Sequence, residues 1–130
     1  DTLRLEKGYL LSGQDFTGSQ TPIEVNSAWV VKWDHAFVGR AALEGQRARD
    51  GYRRLVGVRM LDRGIPRHAC AVSARGEPVG AVTSGTMSPS LRIGIALASV
   101  DASCASVGTT VDIDIRATPH PAQVARLPFL

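Results

Sequence analysis

Val111-Asp112-Ile113-Asp114-Ile115-Arg116 sets a branched apolar residue against a charged one at every step. Strand side chains point to opposite faces with period two, so the apolar three face a core and the charges face water or an ion partner. The same texture extends outward. Leu91-Arg92-Ile93-Gly94-Ile95-Ala96-Leu97 sets Leu and Ile against Arg, Gly and Ala. Tyr52-Arg53-Arg54-Leu55-Val56-Gly57-Val58-Arg59-Met60 places Val56, Val58 and Met60 on one face. Ala71-Val72-Ser73 and Pro78-Val79-Gly80-Ala81-Val82-Thr83 flank Arg75-Gly76 as a hairpin, and Asp62-Arg63-Gly64-Ile65-Pro66 is a turn. Residues 121–129 supply a last short strand. Several strands at short, turn-punctuated intervals in roughly 80 residues predict a small β-barrel or sandwich.

Ahead of Gly51 the texture differs, and the domain boundary is placed there, dividing 1–50 from 51–130. Residues 1–8 read as the last turns of a helix, broken at Gly8 and again at Gly13. Residues 12–24 are small and polar and read as a loop, with Pro22 holding Thr21 extended. Ala28-Trp29-Val30-Val31-Lys32-Trp33 is β-branched and aromatic and predicts a strand, turned by Asp34-His35-Ala36. Residues 41–49 favour helix, with Gly51 as its stop. The chain opens on Asp1, inside a helical pattern, which suggests a fragment.

The 130 residues are 44% hydrophobic, enough for one compact domain with a piece of another. The net charge of +3 is unevenly spread. Residues 1–50 hold six Lys/Arg against seven Asp/Glu, and residues 51–130 hold nine against five. The arginines are scattered along strands without a basic run or neighbouring aromatics, which argues against nucleic-acid binding. Cys70 and Cys104 lie far apart with no CxxC or metal-ligand spacing and read as free thiols. No apolar run approaches the roughly 20 residues needed to span a bilayer, and no signal-peptide pattern opens the chain.

Catalytic motifs are absent when tested one by one. Val82-Thr83-Ser84-Gly85-Thr86 is no nucleophile elbow, and a triad from Ser84, His68 and Asp101 is a paper combination. His35, His68 and His120 lack metal-ligand spacing, so no metal site is expected. Gly80, Gly85 and Gly94 match no phosphate-binding loop and read as turns or places of close backbone approach. The hydroxyl-rich run Thr83-Ser84-Gly85-Thr86-Met87-Ser88-Pro89-Ser90-Leu91 reads as a turn satisfying its own backbone, or as a loop touching a ligand or neighbouring domain. Glu6 stands one turn before a glycine break, where side chains meet ligands, although a solvated helix carboxylate has the same pattern.

Together these pieces resemble the C-terminal part of the aminomethyltransferase, or T-protein, family of the glycine cleavage system. Leu3-Arg4-Leu5-Glu6-Lys7-Gly8 resembles the family's R-L-E-x-G, and Leu11-Ser12-Gly13-Gln14-Asp15 its L-Y-G-[QN]-[DE]. Thr21-Pro22-Ile23-Glu24, Trp29 and Phe37-Val38-Gly39-Arg40-Ala41-Ala42-Leu43 resemble its P-x-E…W and F-[IV]-G-x-x-A-L. Val79-Gly80-Ala81-Val82-Thr83-Ser84-Gly85, Ser88-Pro89-Ser90-Leu91 and Ile95-Ala96-Leu97 resemble G-x-[VI]-T-S-G-x-x-S-P-x-L…I-A-L. Ile115-Arg116 and Leu127-Pro128-Phe129 match the closing I-R…P-F. The order is preserved along the whole chain.

The resemblance implies a mainly β fold: a small six-stranded jelly-roll-like or Greek-key barrel at 51–130, preceded by an α+β tail of a folate-binding domain. It implies an enzyme that takes the aminomethyl group from the lipoyl arm of H-protein, releases ammonia and passes the one-carbon unit to tetrahydrofolate. Glu6 falls on the family's pterin-binding glutamate, and a carboxylate suits the paired donors of a pterin. Lys32 or His35 falls where the family has a basic residue, usually arginine, and Lys32 is the preferred match. No catalytic residue is expected within 1–130, because the family's aspartate belongs to the N-terminal region. This chain by itself is then inactive, and a cytoplasmic or mitochondrial-matrix location follows. Three other readings share part of the pattern. They are a folate protein of iron–sulfur maintenance (whose signature cysteine is missing here), the folate-binding half of a dimethylglycine- or sarcosine-type oxidoreductase, and a non-catalytic interaction barrel.

Overall fold

A computed structural model describes all residues 1–130. Six strands form it: β1 (Arg54–Met60), β2 (Ala71–Ala74), β3 (Glu77–Ser88), β4 (Ile93–Val100), β5 (Thr110–Ile115) and β6 (Thr118–Ala125). They close into a barrel in the order β1-β4-β3-β2-β5-β6, with every neighbouring pair antiparallel. Tight turns join β2 to β3, β3 to β4 and β5 to β6, while β1–β4 and β2–β5 are neighbours out of sequence order. The predicted six-stranded, mainly β barrel with Greek-key crossovers is present. No helix is long and apolar enough to cross a membrane.

The barrel interior is filled by small and branched side chains, among them Val58, Met60, Val72, Val82, Val100, Val111 and Ile113. Strand β4 is buried on both faces. Ala96, Ala98 and Val100 point into the barrel, and Ile95 and Leu97 belong to a second cluster with Leu5, Val25 and Leu55. A narrow barrel has room for alanine where an open sheet takes leucine. The larger residues instead receive the segment that precedes the barrel.

That segment contains α1 (Thr2–Glu6) and α2 (Arg40–Arg49). Helix α1 packs on β3 and β4 and buries Leu5 completely, a contribution of about 2 kcal/mol. It ends at Lys7, and Gly8 follows in the left-handed region at φ 74, close against Leu127. The backbone N–H of Phe129 donates to the Glu6 carbonyl at 2.9 Å, so the chain's last residues clasp the helix.

Three expectations change. Residues 28–33 do not form a strand: Ala28–Val30 is a single 3-10 turn with Trp29 and Val30 exposed. Strand preference is realised by packing on a sheet, and no strand pairs with this stretch. The hydroxyl-rich run is not a loop, because β3 continues through Ser88 and turns only at residues 89–92. Finally, β6 starts earlier than residue 121 and carries Pro119 and Pro121 within it. The prolines stand opposite Asp114 and Asp112 of β5, the ladder to β1 begins at Ala122, and the Pro121 carbonyl still accepts from the Leu61 N–H at 2.9 Å.

Candidate functional site

The hydroxyls of β3 are where residues 1–15 meet the barrel. Pairing with β4 runs from Val82 opposite Ala98 to Ser84 opposite Leu97, which leaves Thr83 as an extra, bulged residue. In a regular strand Thr83 and Ser84 would face opposite ways; the bulge aims both at one carboxylate. Thr83 Oγ1 and Ser84 Oγ each donate to Asp15 Oδ1 at 2.6 Å. Asp15 Oδ2 accepts from Arg4 Nη1 at 2.9 Å and from the Leu11 N–H at 2.8 Å. Ser84 Oγ in turn accepts from Arg4 Nη2 at 3.1 Å and Gln14 Nε2 at 3.0 Å. The Asp15 side chain is 0% exposed, and its four acceptor positions are filled. This is a complete buried ion-pair network.

Ser84, Thr86 and Ser88 follow at intervals of two and share the face that α1 covers. Thr86 Oγ1 lies 3.2 Å from Thr2 Oγ1. Ser88 Oγ donates to Glu6 Oε1 at 2.6 Å, and the Ser90 N–H reaches the same oxygen at 3.3 Å. Glu6 Oε2 has only the Ser90 hydroxyl at 3.5 Å, too long to count as a full hydrogen bond. Glu6 is buried, yet its carboxyl is held below the usual carboxylate range. The Ser88 hydrogen bond is the main cause and outweighs the opposing effect of desolvation. Near neutral pH it is an anion with one oxygen engaged and one spare.

Lys32 and His35 lie on the exposed stretch between the 3-10 turn and α2. His35 is near Asp34, with Nδ1 3.5 Å from Oδ1, and it packs against Phe37. Neither Lys32 nor His35 bonds to Glu6, whose partners are Ser88 and Ser90. A cleft of about 310 Å³ beside α1 is lined by Lys7, Tyr9, Trp29 and Leu127 among others, and Glu6, Lys32 and His35 do not line it. The paper triad is not assembled. Ser84 serves Asp15, His68 Nδ1 lies 2.7 Å from the Thr83 carbonyl oxygen, and Asp101 pairs with Arg53.

Arg4 and Asp15 were not singled out by sequence reasoning, and Thr83, Ser84, Ser88 and Ser90 entered it only as members of the hydroxyl-rich run. The density of hydroxyls at 83–90 was the available signal. It did not say which acidic residues the hydroxyls would serve.

Residues 53–130 match the model of the glycine cleavage T-protein C-terminal barrel domain. The chain belongs to the T-protein family. An aminomethyltransferase of Picosynechococcus sp. is 47% identical over 99% of this chain and 36% of its own length. One from Frankia alni is 48% identical over 100% of the chain and 36% of its own length. The crystal structure of the glycine cleavage system aminomethyltransferase T from Bartonella henselae superposes with a TM-score of 0.92 at 31% identity, covering 100% of this chain and 37% of that one. The chain thus spans little more than a third of the length of these T-protein relatives. In this T-protein chain the R-L-E segment is the one seated on β3. Arg4 of that segment donates to Asp15 and Ser84, Glu6 accepts from Ser88 and Ser90, and Leu5 between them anchors the apolar cluster.

Proposed function

We propose that this chain forms the C-terminal part of a tetrahydrofolate-dependent aminomethyltransferase of the glycine cleavage system. The complete enzyme takes the aminomethyl group from the lipoyl arm of H-protein, releases ammonia and hands the one-carbon unit to tetrahydrofolate. H-protein and tetrahydrofolate are its partners, in the cytoplasm or the mitochondrial matrix.

The observation that carries this reading is Glu6, in a chain of the T-protein family. Ser88 and Ser90 fix Oε1 and keep the group ionised, and Oε2 retains acceptor capacity. A pterin presents ring and amino N–H donors, which suit an ionised carboxylate. Glu6 is only 3% exposed, and the Ser90 hydroxyl stands 3.5 Å from Oε2, so Ser90 moves aside as the ring engages that oxygen. Lys32, exposed and without an ion pair, offers a point charge to the folate's carboxylates, and His35 is its neighbour in that role. Leu3, Tyr9, Trp29 and Val38 are exposed apolar side chains concentrated ahead of the barrel, a surface suited to the remaining cavity wall. The catalytic aspartate of this reading belongs to that remaining part, so the chain by itself does not turn over.

Calorimetric titration with tetrahydrofolate tests this in a polypeptide of the relatives' full length. Glu6→Gln weakens binding about ten- to a hundredfold, the loss of one charge-assisted hydrogen-bond set, with an unchanged circular dichroism spectrum. Undiminished affinity in that variant removes Glu6 from the site. The 130-residue chain alone binds tetrahydrofolate weakly.

A further inference from the structure

The turn that ends β3 is built around one hydroxyl. Ser88 is fully buried, and Pro89 follows it with φ fixed by its ring and no N–H to offer. The next three N–H groups are all committed. Ser90 N–H donates to Glu6 Oε1 at 3.3 Å, Leu91 N–H to Ser88 Oγ at 3.1 Å, and Arg92 N–H to the Ser88 carbonyl at 2.7 Å. Arg92 closes the turn with φ 58, in the left-handed region. With Leu91 donating into its oxygen, Ser88 has one proton to give, and it goes to Glu6 Oε1 at 2.6 Å. Backbone N–H, hydroxyl and carboxylate form a chain in which each bond strengthens the next.

The direction of that chain decides what Glu6 offers. Oε1 receives both the Ser88 proton and the Ser90 N–H, while Oε2 has only the Ser90 hydroxyl at 3.5 Å. Among the charges nearby, Lys7 attracts the Glu6 anion, and its effect is the smallest of those that act on the group. Arg4 is engaged by Asp1 and Asp15. Strand β4 has no ionisable side chain, β3 has only Glu77 at its far end, and Arg92 and Arg126 stand in the β3–β4 turn and the closing segment. Ser88 is therefore the main control on this carboxylate. Once it is removed, burial becomes the largest single influence and pushes the group up.

We propose, on the folate reading of Glu6, that Ser88 is a positioning residue for tetrahydrofolate. It withholds Oε1, presents Oε2 to the N–H donors of the pterin and keeps that recognition constant as the medium acidifies. Without the Ser88 hydroxyl, Glu6 is free to turn Oε1 outward and to take up a proton, and a neutral carboxyl accepts less strongly. Affinity is then complete above the raised pKa and is lost as pH falls through it. In the unsubstituted protein the same loss lies below 4.5.

The test is calorimetric titration with tetrahydrofolate under nitrogen, in a polypeptide of the relatives' full length, from about pH 7.5 to about pH 5.5. The ligand's own titration divides out in the ratio of variant to unsubstituted Kd. Ser88→Ala is expected to weaken binding about threefold at the upper end and about tenfold or more at the lower. Thr86→Ala removes a hydroxyl from the same face of β3, one that meets Thr2 and not Glu6, and is expected to give a ratio that does not change with pH. Circular dichroism at each pH establishes that the proteins compared are folded. If Glu6→Gln weakens binding while the Ser88→Ala ratio is flat, or climbs no more steeply than that of Thr86→Ala, the positioning role is overturned and the folate reading stands. If Glu6→Gln binds as tightly as the unsubstituted protein at every pH, the folate reading falls and the role of Ser88 falls with it.

Discussion

The barrel and the fifty residues ahead of it are held by different physics. The barrel closes on itself around an apolar interior of valine, alanine, isoleucine and methionine, and its edges are consumed by closure. The preceding segment buries Leu5, Ile23 and Val25, and otherwise attaches through Asp15 and Glu6 to hydroxyls on β3. No residue of α2 is buried. It is tied down by Thr21 Oγ1 donating to Gln46 Oε1 at 2.6 Å, Gln46 Nε2 donating to Glu24 at 2.8 Å and Arg47 stacked 4.0 Å over Trp33. Apolar burial is non-directional and supplies bulk stability, whereas a saturated carboxylate–hydroxyl network specifies one arrangement. The barrel therefore determines whether the chain folds, and the polar contacts determine where Glu6 stands.

Three substitutions would break or sharpen that contrast. Ile113→Ala opens the barrel interior and is expected to destabilise the whole chain by about 4 kcal/mol, read as a lower urea midpoint at unchanged slope. A chain that keeps its midpoint would show that the interior is not the main source of stability.

Asp15→Ala takes its buried carboxylate from Arg4, which keeps Asp1 and the Tyr9 carbonyl, and leaves Ser84 and the Leu11 N–H without their acceptor, a loss of about 3 kcal/mol felt by the attached segment. Proteolysis and amide exchange should rise across residues 1–15 while β1 and β4 amides stay protected. Uniform exposure of both regions would mean that the two unfold as one unit.

Ser88→Ala has the smallest effect and is seen best through pH. The folded-state pKa of Glu6 lies below its ordinary 4.5, chiefly through Ser88. Protons then bind the unfolded state more readily, so the Glu6 contribution is complete above about 4.5 and is lost as pH falls through the lower folded value. Unfolding midpoints measured on both sides of this window should show a drop that Ser88→Ala flattens. An equal drop in both proteins would place the acid sensitivity elsewhere, with Asp62 the next group to test, since the Gly64 N–H holds it below 3.8.

Much of this was legible in local pattern. The alternation at 111–116 and 91–97, the Arg75-Gly76 turn and the alanine-rich stretch before Gly51 correspond to β5, β4, the β2–β3 hairpin and α2. Residues 28–33 misled because Trp and Val record a preference for a sheet surface, and no strand lies beside them to supply one. The serines and threonines of β3 misled in the opposite direction: loop-like composition survives in a strand when the hydroxyls have acidic partners from another element. The glutamate before Gly8 was legible as a candidate. Its partners Ser88 and Ser90 lie more than eighty residues away, beyond the reach of any spacing rule.

By itself the sequence determined where strands run, which residues alternate and which family motifs follow one another, because those are properties of neighbours along the chain. Only the tertiary structure decided which side of β4 is inside, since Ile95 and Leu97 or Ala96 and Ala98 could each have faced a core. Barrel radius settled it in favour of the alanines. The tertiary structure also decided that Thr83 and Ser84 meet one oxygen of Asp15. That depends on a single unpaired residue between two strands, and a bulge is set by register against a partner strand.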